Sequence, residues 1–249
     1  MTRHVLGIDV GGSSIKGGLV DVDAGRLTGG LISAPTPRPA TPAAMMPVIA
    51  ALAGKLPGAS GSVGIAFPSV IKQGTARTAA NIDHAWIGTD GAALAAHALG
   101  RPALFLNDAD AAGIAEMRWG AGRGSSGVAI MVTFGTGIGT ALFTDGKLLP
   151  NTELGHMELR GMDAETWASA HARTAERLDF PAWIARVNEY LKRLHELLWP
   201  DLFILGGAVS ERFAEFAPLL RSDAQLRPAH FAGQAGVIGA ALAATESDG

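Results

Sequence analysis

A carboxylate, two pairs of glycines, two hydroxyls and a lysine fall within ten residues, Asp9-Val10-Gly11-Gly12-Ser13-Ser14-Ile15-Lys16-Gly17-Gly18. The apolar run Val5 to Ile8 precedes the bend and a second, Ile15 to Val22, follows it, so the segment reads as strand, turn and returning strand. Glycines at the bend open backbone conformations that other residues avoid and let N–H groups approach a ligand closely. Ser13 and Ser14 add hydroxyl donors, Lys16 a cation and Asp9 a carboxylate at the end of the strand. The set suits an anion that carries a metal ion: a phosphate chain with magnesium. A tight hairpin with a solvated lysine would use the same residues, so this turn alone decides nothing.

An internal echo favours the phosphate. Thr133-Phe134-Gly135-Thr136-Gly137-Ile138-Gly139-Thr140-Ala141-Leu142-Phe143 again runs from strand through a glycine–hydroxyl turn into strand. Beyond the turns, Asp21-Val22-Asp23-Ala24-Gly25-Arg26-Leu27 resembles Thr144-Asp145-Gly146-Lys147-Leu148. Repetition of a whole hairpin implies two similar halves facing each other. Two phosphate-cradling turns lining a shared cleft is the geometry of a phosphoryl-transfer enzyme. Gly135 to Gly139 superficially resembles a dinucleotide fingerprint. Its third glycine comes one residue early, however, and the turn enters the strand-like Thr140 to Phe143, which rejects a nicotinamide site.

Two further constellations can handle a hydroxyl. Asn107-Asp108 follows the apolar run Ala103 to Leu106, and carboxylates at the C-terminal ends of strands in open α/β sheets point into the ligand crevice. Asp108 is therefore the candidate base for an acceptor hydroxyl, with Asn107 beside it. Either residue would also serve simply as a helix cap. Glu153-Leu154-Gly155-His156 sets a carboxylate and an imidazole across a short turn, a pattern that can bond vicinal sugar hydroxyls, and Glu165 can join them. His4, His84, His97, His171, His195 and His230 lack paired metal-ligand spacing and read as structural or solvated.

These residues need elements to hold them. Arg26 to Ser33 reads as a third strand and the proline-rich Ala34 to Pro42 as a surface connection. Thr41 can cap a helix with Pro42 at its first position. Ser62 to Phe67 is a short buried strand, Thr89 to Leu99 a helix, and Asn107-Asp108-Ala109-Asp110 opens an alanine-rich helix through Ala115 and Glu116 that leads to the loop carrying Arg118 and Arg123. Between Pro181 and Trp199, Ile184, Val187, Leu191, Leu194 and Leu198 keep helical spacing. Leu202 to Leu205 is a strand that ends in a third glycine turn, Gly206-Gly207-Ala208-Val209-Ser210, and a Gly/Ala-rich helix from about Gln234 to Ala244 closes the chain. Alternation of this kind predicts a mostly parallel sheet covered by helices.

With 249 residues, 48% hydrophobic and 17% charged, the chain is globular and long enough for two lobes. A net charge of −3 gives no general basic field for nucleic acid. No run approaches the roughly 18 to 20 apolar residues that span a bilayer, and strand pattern from His4 leaves no room for a signal peptide. There is no cysteine, which excludes disulfides and thiolate metal sites and fits a cytoplasmic location.

Taken together, Asp9–Gly18, Thr133–Phe143, Leu205–Glu211, Asn107–Asp108 and Glu153-x-x-His156 resemble the motifs of sugar kinases of the ROK family, within the actin-like ATPase superfamily. The resemblance runs from Val5 to the helix at Gly236–Ala241, and Asn151-Thr152-Glu153-Leu154-Gly155-His156 is most similar to the polyphosphate glucokinase branch. It implies an α/β, actin-like (ribonuclease H-like) fold of two lobes with a central cleft. The N-terminal lobe would be residues 1–106 completed by 234–249, and the C-terminal lobe residues 107–233. It implies glucose as acceptor, with mannose left open, polyphosphate and/or ATP as donor, magnesium, and a homodimer without nucleic-acid or membrane partners. By the same resemblance Asp108 deprotonates the sugar 6-hydroxyl, while Asn81, Asn107, Glu153, His156 and Glu165 hold the sugar. Gly11, Gly12, Ser13, Ser14, Lys16, Thr133, Gly135, Thr136, Gly137, Gly206 and Gly207 would bind the donor, and Asp9 would act on magnesium through water.

Many members of the family carry a cysteine-rich zinc motif after the Gly-His pair. Here Met157 to Glu165 contains no thiolate, so no such zinc site is expected and packing by Met157, Leu159 and Trp167 must hold the acceptor loop. Two alternatives stand beside a polyphosphate enzyme. One is a strictly ATP-dependent hexokinase of the same fold. The other is a sugar-sensing regulator, although the first hairpin begins at once, with no DNA-binding helix-turn-helix before it.

Overall fold

Strand-forming runs flanked by glycine turns build two sheets of the same strand order in the computed structural model, which describes residues 3–80 and 82–247. The chain divides into two compact units, Met1–Ala115 with Gln234–Gly249, and Glu116–Gly233.

In the first unit, β1 (His4–Val10) pairs antiparallel with β2 (Ser14–Asp21), Val10 opposite Ile15 across the bend. The strand expected over Arg26 to Ser33 is instead two pieces on one edge of β2. The first is β3 (Arg26–Leu27), beside Val20 and Asp21, and the second is β4 (Ile32–Pro35), beside Ser14 to Gly17. Gly29 and Gly30 lie in the gap; without side chains to pack they favour a break in the strand.

Helix α1 (Pro42–Gly54) starts as expected, with Thr41 Oγ1 accepting from the Ala44 N–H and Pro42 in the first turn. Then come β5 (Val63–Phe67), a small hairpin of β6 (Ile71–Lys72) and β7 (Thr75–Ala76), α2 (Gly91–Leu99) capped by Asp90, β8 (Ala103–Asn107) and α3 (Asp108–Trp119). Strands β1, β5 and β8 are parallel neighbours. Alternate residues of β5 face opposite layers: Ile65 and Phe67 join the core with Ile49 and Trp86, whereas Ala66 joins Ala111 and Ala240.

The closing helix (Ala235–Ser247) lies directly on this sheet. A Cβ on Gly7 would stand 1.9 Å from the Val237 carbonyl oxygen, and one on Gly64 would stand 1.8 Å from that of Ala240. Both obstacles are backbone, so no rotamer change makes room. Gly64→Ala is expected to cost about 3 kcal/mol and to lower the thermal midpoint by roughly 6–12 °C for a chain of this size. A calorimetric midpoint unchanged within 2 °C of wild type, at most about 1 kcal/mol on the same scale, would contradict this packing.

The second unit repeats the plan. Strands β9 (Val128–Phe134) and β10 (Ile138–Thr144) form an antiparallel hairpin extended by β11 (Lys147–Leu149). The chain continues through a two-stranded ribbon of β12 (Glu158–Leu159) and β13 (Met162–Asp163), then α4 (Ala164–Ala168), α5 (Ala170–Ala175) and α6 (Phe180–Leu198). Ile184, Val187, Leu191 and Leu194 of α6 are buried along one stripe, as their spacing predicts. Strands β14 (Leu202–Gly206) and β15 (Gln225–Pro228) then add parallel to β9. The orders β3-β2-β1-β5-β8 and β11-β10-β9-β14-β15 coincide, so the repeat extends from a hairpin to a whole sheet.

Each sheet is mixed rather than mostly parallel. Strand–helix alternation registers only the parallel half, and the duplicated hairpin supplies the antiparallel half. Among the described residues no helix is long and apolar enough to cross a membrane.

Candidate active site

In the first unit the phosphate-type turn is held by its own hairpin and by the segment after β4. The Gly11 N–H donates to the Ser14 carbonyl (2.9 Å), Thr36 Oγ1 donates to the Gly11 carbonyl (2.6 Å), and the Thr36 N–H donates to Ser13 (3.1 Å). Gly11 does not take a left-handed φ, and a Cβ there would meet the Ser14 oxygen at 3.1 Å, a tight contact rather than a clash. This corrects the expectation that such glycines supply unusual backbone angles.

Asp9 stands opposite Lys16 in the hairpin, and a Cβ on Gly236 would lie 2.8 Å from its Cγ, so the first turn of the closing helix rests against this carboxylate. Burial raises the Asp9 pKa above the ordinary carboxylate value, and the charge of Lys16 opposes that shift without cancelling it. A buried carboxylate left partly uncompensated by its lysine fits a divalent cation reached through water.

At the end of β8, Asn107 is buried and committed on both ends of its amide. Nδ2 donates to the Ser69 carbonyl (3.2 Å) and Oδ1 accepts from the Asp110 N–H (3.0 Å), which caps α3. Asp108 follows at the first helical position, where its Oδ1 accepts from the Ala109 N–H at 2.8 Å. Capping thus falls to Asn107. Asn81 lies outside the described residues.

In the second unit the other two glycine turns sit side by side. The Gly135 N–H donates to the Gly137 carbonyl (3.0 Å) at the β9–β10 bend, with Thr136 in the turn and Thr133 near the end of β9. Gly206, at the end of β14, is the sheet partner of Thr133. Gly207 has a left-handed φ of 87°, and a Cβ on it would stand 2.2 Å from the Phe134 carbonyl oxygen; here glycine is needed for both reasons.

The hydroxyl-type loop is fastened to the strand leaving the β9–β10 bend. Thr140 Oγ1 donates to the Thr152 carbonyl (2.6 Å) and accepts from the Leu154 N–H (3.2 Å), while Thr152 Oγ1 donates to the Thr140 carbonyl (3.1 Å). A Cβ on Gly155 would stand 2.1 Å from the Ile138 carbonyl oxygen. Glu165 Oε2 accepts from the Ile138 N–H (3.1 Å) and fills the space a Cβ on Gly137 would need.

Three carboxylates then converge on one imidazole. His156 Nδ1 is 2.9 Å from Asp163 Oδ2 and 3.9 Å from Glu165 Oε1, and Nε2 is 3.9 Å from Glu153 Oε2. The hydrogen bond to Asp163 is the main reason the His156 pKa is raised. Burial raises that of Glu153, with His156 opposing and Glu165 adding to the shift. One ligand atom each from His156, Asp163 and Glu165 lies within 4.8 Å of the others, but the 2.9 Å contact at Nδ1 is hydrogen-bond geometry. Leu159 is buried, and Met157 and Trp167 pack on the same core. The Arg186 guanidinium also stacks 3.8 Å from the Trp167 ring centroid.

Residues 5–175 match the sequence model of the ROK family. The chain belongs to the ROK family. It is 45% identical over 242 residues to a polyphosphate glucokinase of Mycobacterium tuberculosis (strain CDC 1551 / Oshkosh), covering 97% of this chain and 91% of that one. Among solved structures it is similar to an inorganic polyphosphate/ATP-glucomannokinase from Arthrobacter sp. strain KM, with a TM-score of 0.95, 43% identity, and 98% and 99% of the two chains covered. It is also similar to a ROK family glucokinase from Streptomyces griseus in complex with glucose and AMPPNP, with a TM-score of 0.84, 25% identity, and the same coverages. This ROK chain therefore has the actin-like ATPase fold.

Sequence reasoning passed over four residues that shape these ROK motifs. Thr36 reaches the first turn from 25 positions away, which no local pattern signals. Thr140 and Thr152 read as ordinary strand and loop hydroxyls. Asp163 was legible in principle: Arg160-Gly161 between two short strand-like pairs signals a tight turn that brings position 163 back towards His156.

Proposed function

We propose that this ROK protein is a polyphosphate-dependent glucokinase, transferring the terminal phosphoryl group of inorganic polyphosphate, and also of ATP, to the 6-hydroxyl of glucose. The observation that carries the reading is mechanical continuity in the second unit. A glycine–hydroxyl turn of phosphate-binding type runs straight into the strand that carries the Glu153–His156 loop, and Glu165 bridges the two. The names of the mycobacterial and Arthrobacter relatives support polyphosphate as donor and glucose as acceptor.

In this reading Asp108 accepts the proton of the 6-hydroxyl as that oxygen bonds to the terminal phosphorus and the bond from phosphorus to the bridging oxygen breaks. The products are glucose 6-phosphate and a donor shorter by one phosphate. Glu153, His156 and Glu165 hold the other hydroxyls. Asn107 and Asn81 remain candidates for further contacts to the sugar. Gly11, Gly12, Ser13, Ser14 and Lys16, with Thr133, Gly135, Thr136 and Gly137, bind donor phosphates. Magnesium bound near Asp9 supplies positive charge to the phosphates. Mannose as a further acceptor, a homodimer and a cytoplasmic location complete the proposal.

A strictly ATP-dependent kinase is the second reading, favoured by the Gly206-Gly207 turn beside Thr133, which suits an adenosine group. Competition between polyphosphate and ATP at matched magnesium separates the two. Polyphosphate that neither serves as donor nor slows ATP use would leave only the second.

Asp9 yields a further expectation. Its raised pKa places its titration above 3.8, and a cation competes with the proton for the same carboxylate. The acid limb of kcat/KM should therefore move to lower pH as magnesium is raised. A limb that stays fixed across a tenfold magnesium range, within about a tenth of a pH unit, would contradict the role given to Asp9.

A further inference from the structure

One carboxylate in the hydroxyl-type loop has no part in the function proposed above. Asp163 ends β13, opposite Glu158 in the β12–β13 ribbon, and is the group that hydrogen-bonds the His156 ring, at 2.9 Å to Nδ1. Glu165 and Glu153, each 3.9 Å from a ring nitrogen, are beyond hydrogen-bond reach and act on it only through charge.

The ribbon that carries Asp163 is braced at both ends. Arg160 and Gly161 make its turn with φ of 56° and 77°, and the Ala164 N–H closes its base on the Met157 carbonyl at 2.9 Å. Arg160 is in turn paired with Glu189 (2.7 Å) and lies 5.3 Å from the Trp167 ring centroid. The Asp163 carboxylate is thereby aimed by backbone and by packing. Its side chain and that of His156 are about half exposed, so its contribution to folding is small.

We propose that Asp163 is a positioning residue for the sugar: by holding a proton on His156 Nδ1 it fixes the orientation of the ring and leaves Nε2 to the sugar hydroxyls beside Glu153. Which imidazole nitrogen meets a ligand is set by the bond the other nitrogen makes. A ring without that partner turns about its side-chain bonds and presents either edge. The same bond keeps the ring charged to higher pH, where it offsets the repulsion among Glu153, Asp163 and Glu165. The folded pKa is raised, so the charged ring is fully present below about 6.5 and is lost as pH rises through the higher folded value.

The inference rests on the reading of His156 and Glu153 as sugar ligands, and the experiment separates the two. Steady-state kinetics are measured for Asp163→Asn, Asp163→Glu, His156→Ala and the double variant Asp163→Asn/His156→Ala. Asp163→Asn is expected to raise the KM for glucose roughly tenfold, leave the donor KM unchanged, and move the alkaline limb of kcat/KM for glucose to lower pH. Asp163→Glu should recover part of the loss, and Asp163→Asn should add nothing once His156 is removed. If His156→Ala raises the glucose KM but Asp163→Asn leaves both KM and the pH limb unchanged, the positioning role is overturned while the sugar reading stands. If His156→Ala itself leaves the glucose KM unchanged, the sugar reading fails first. A wild-type glucose KM that rises after chelation and return to magnesium alone would mark His156, Asp163 and Glu165 as a metal site and overturn the proposal.

Discussion

Replacing Asp108 by asparagine is expected to lower kcat about a thousandfold while glucose continues to bind. Asparagine keeps the size of the side chain and an oxygen that can accept from the Ala109 N–H, the contact Asp108 makes at 2.8 Å. Helix α3 does not depend on Asp108 for its cap, because Asn107 Oδ1 takes the Asp110 N–H. What disappears is a carboxylate able to take a proton. With hydroxyl recognition proposed to rest on Glu153, His156 and Glu165, the glucose dissociation constant, read by calorimetry, should change by less than about threefold, under a kcal/mol. A variant that turns over within about threefold of wild type, under a kcal/mol of barrier, would remove Asp108 from the chemistry.

Gly155→Ala should be nearly as damaging, through geometry alone. The added methyl would lie 2.1 Å from the Ile138 carbonyl oxygen, a backbone atom of the strand that carries the hydroxyl-type loop. The loop must lift, which loosens the contacts of Thr140 with Thr152 and Leu154 and shifts Glu153 and His156 together. Displacement of about an ångström at a reacting centre costs roughly a hundredfold in rate. The expected result is a fall of that size in kcat/KM for glucose. Gly54→Ala is the control, since nothing lies within 4 Å of the new methyl there. Equal activity in the two variants would show that Gly155 only turns the chain.

The duplicated hairpin was the most legible part of the sequence, because glycine turns flanked by apolar runs report a local structure that needs no distant partner. Thr41-Pro42 announced α1 for the same reason. The third strand was over-read: Arg26 to Ser33 has strand composition, but Gly29-Gly30 splits it, and only the edge of β2 decides which halves pair. Asp108 and Glu153 were proposed because carboxylates at strand ends and in short turns stand out by type. Asn107 carries a capping role that its type allowed but did not assign. The crowding at Gly7, Gly64 and Gly155 escaped notice, since it depends on backbone from elements far along the chain. A close approach of that kind leaves no periodic trace. Asp163 was hidden by a turn of two residues whose effect is plain only once the ribbon is folded.

The central claim is that the repeated glycine turns serve a phosphate chain whose end is passed to glucose. The most direct measurement is glucose 6-phosphate formation with nucleotide-free polyphosphate and magnesium as the only donor system. Sustained product, lost in Asp108→Asn, is the predicted result. No product from polyphosphate, with wild-type protein folded and binding glucose, would contradict it.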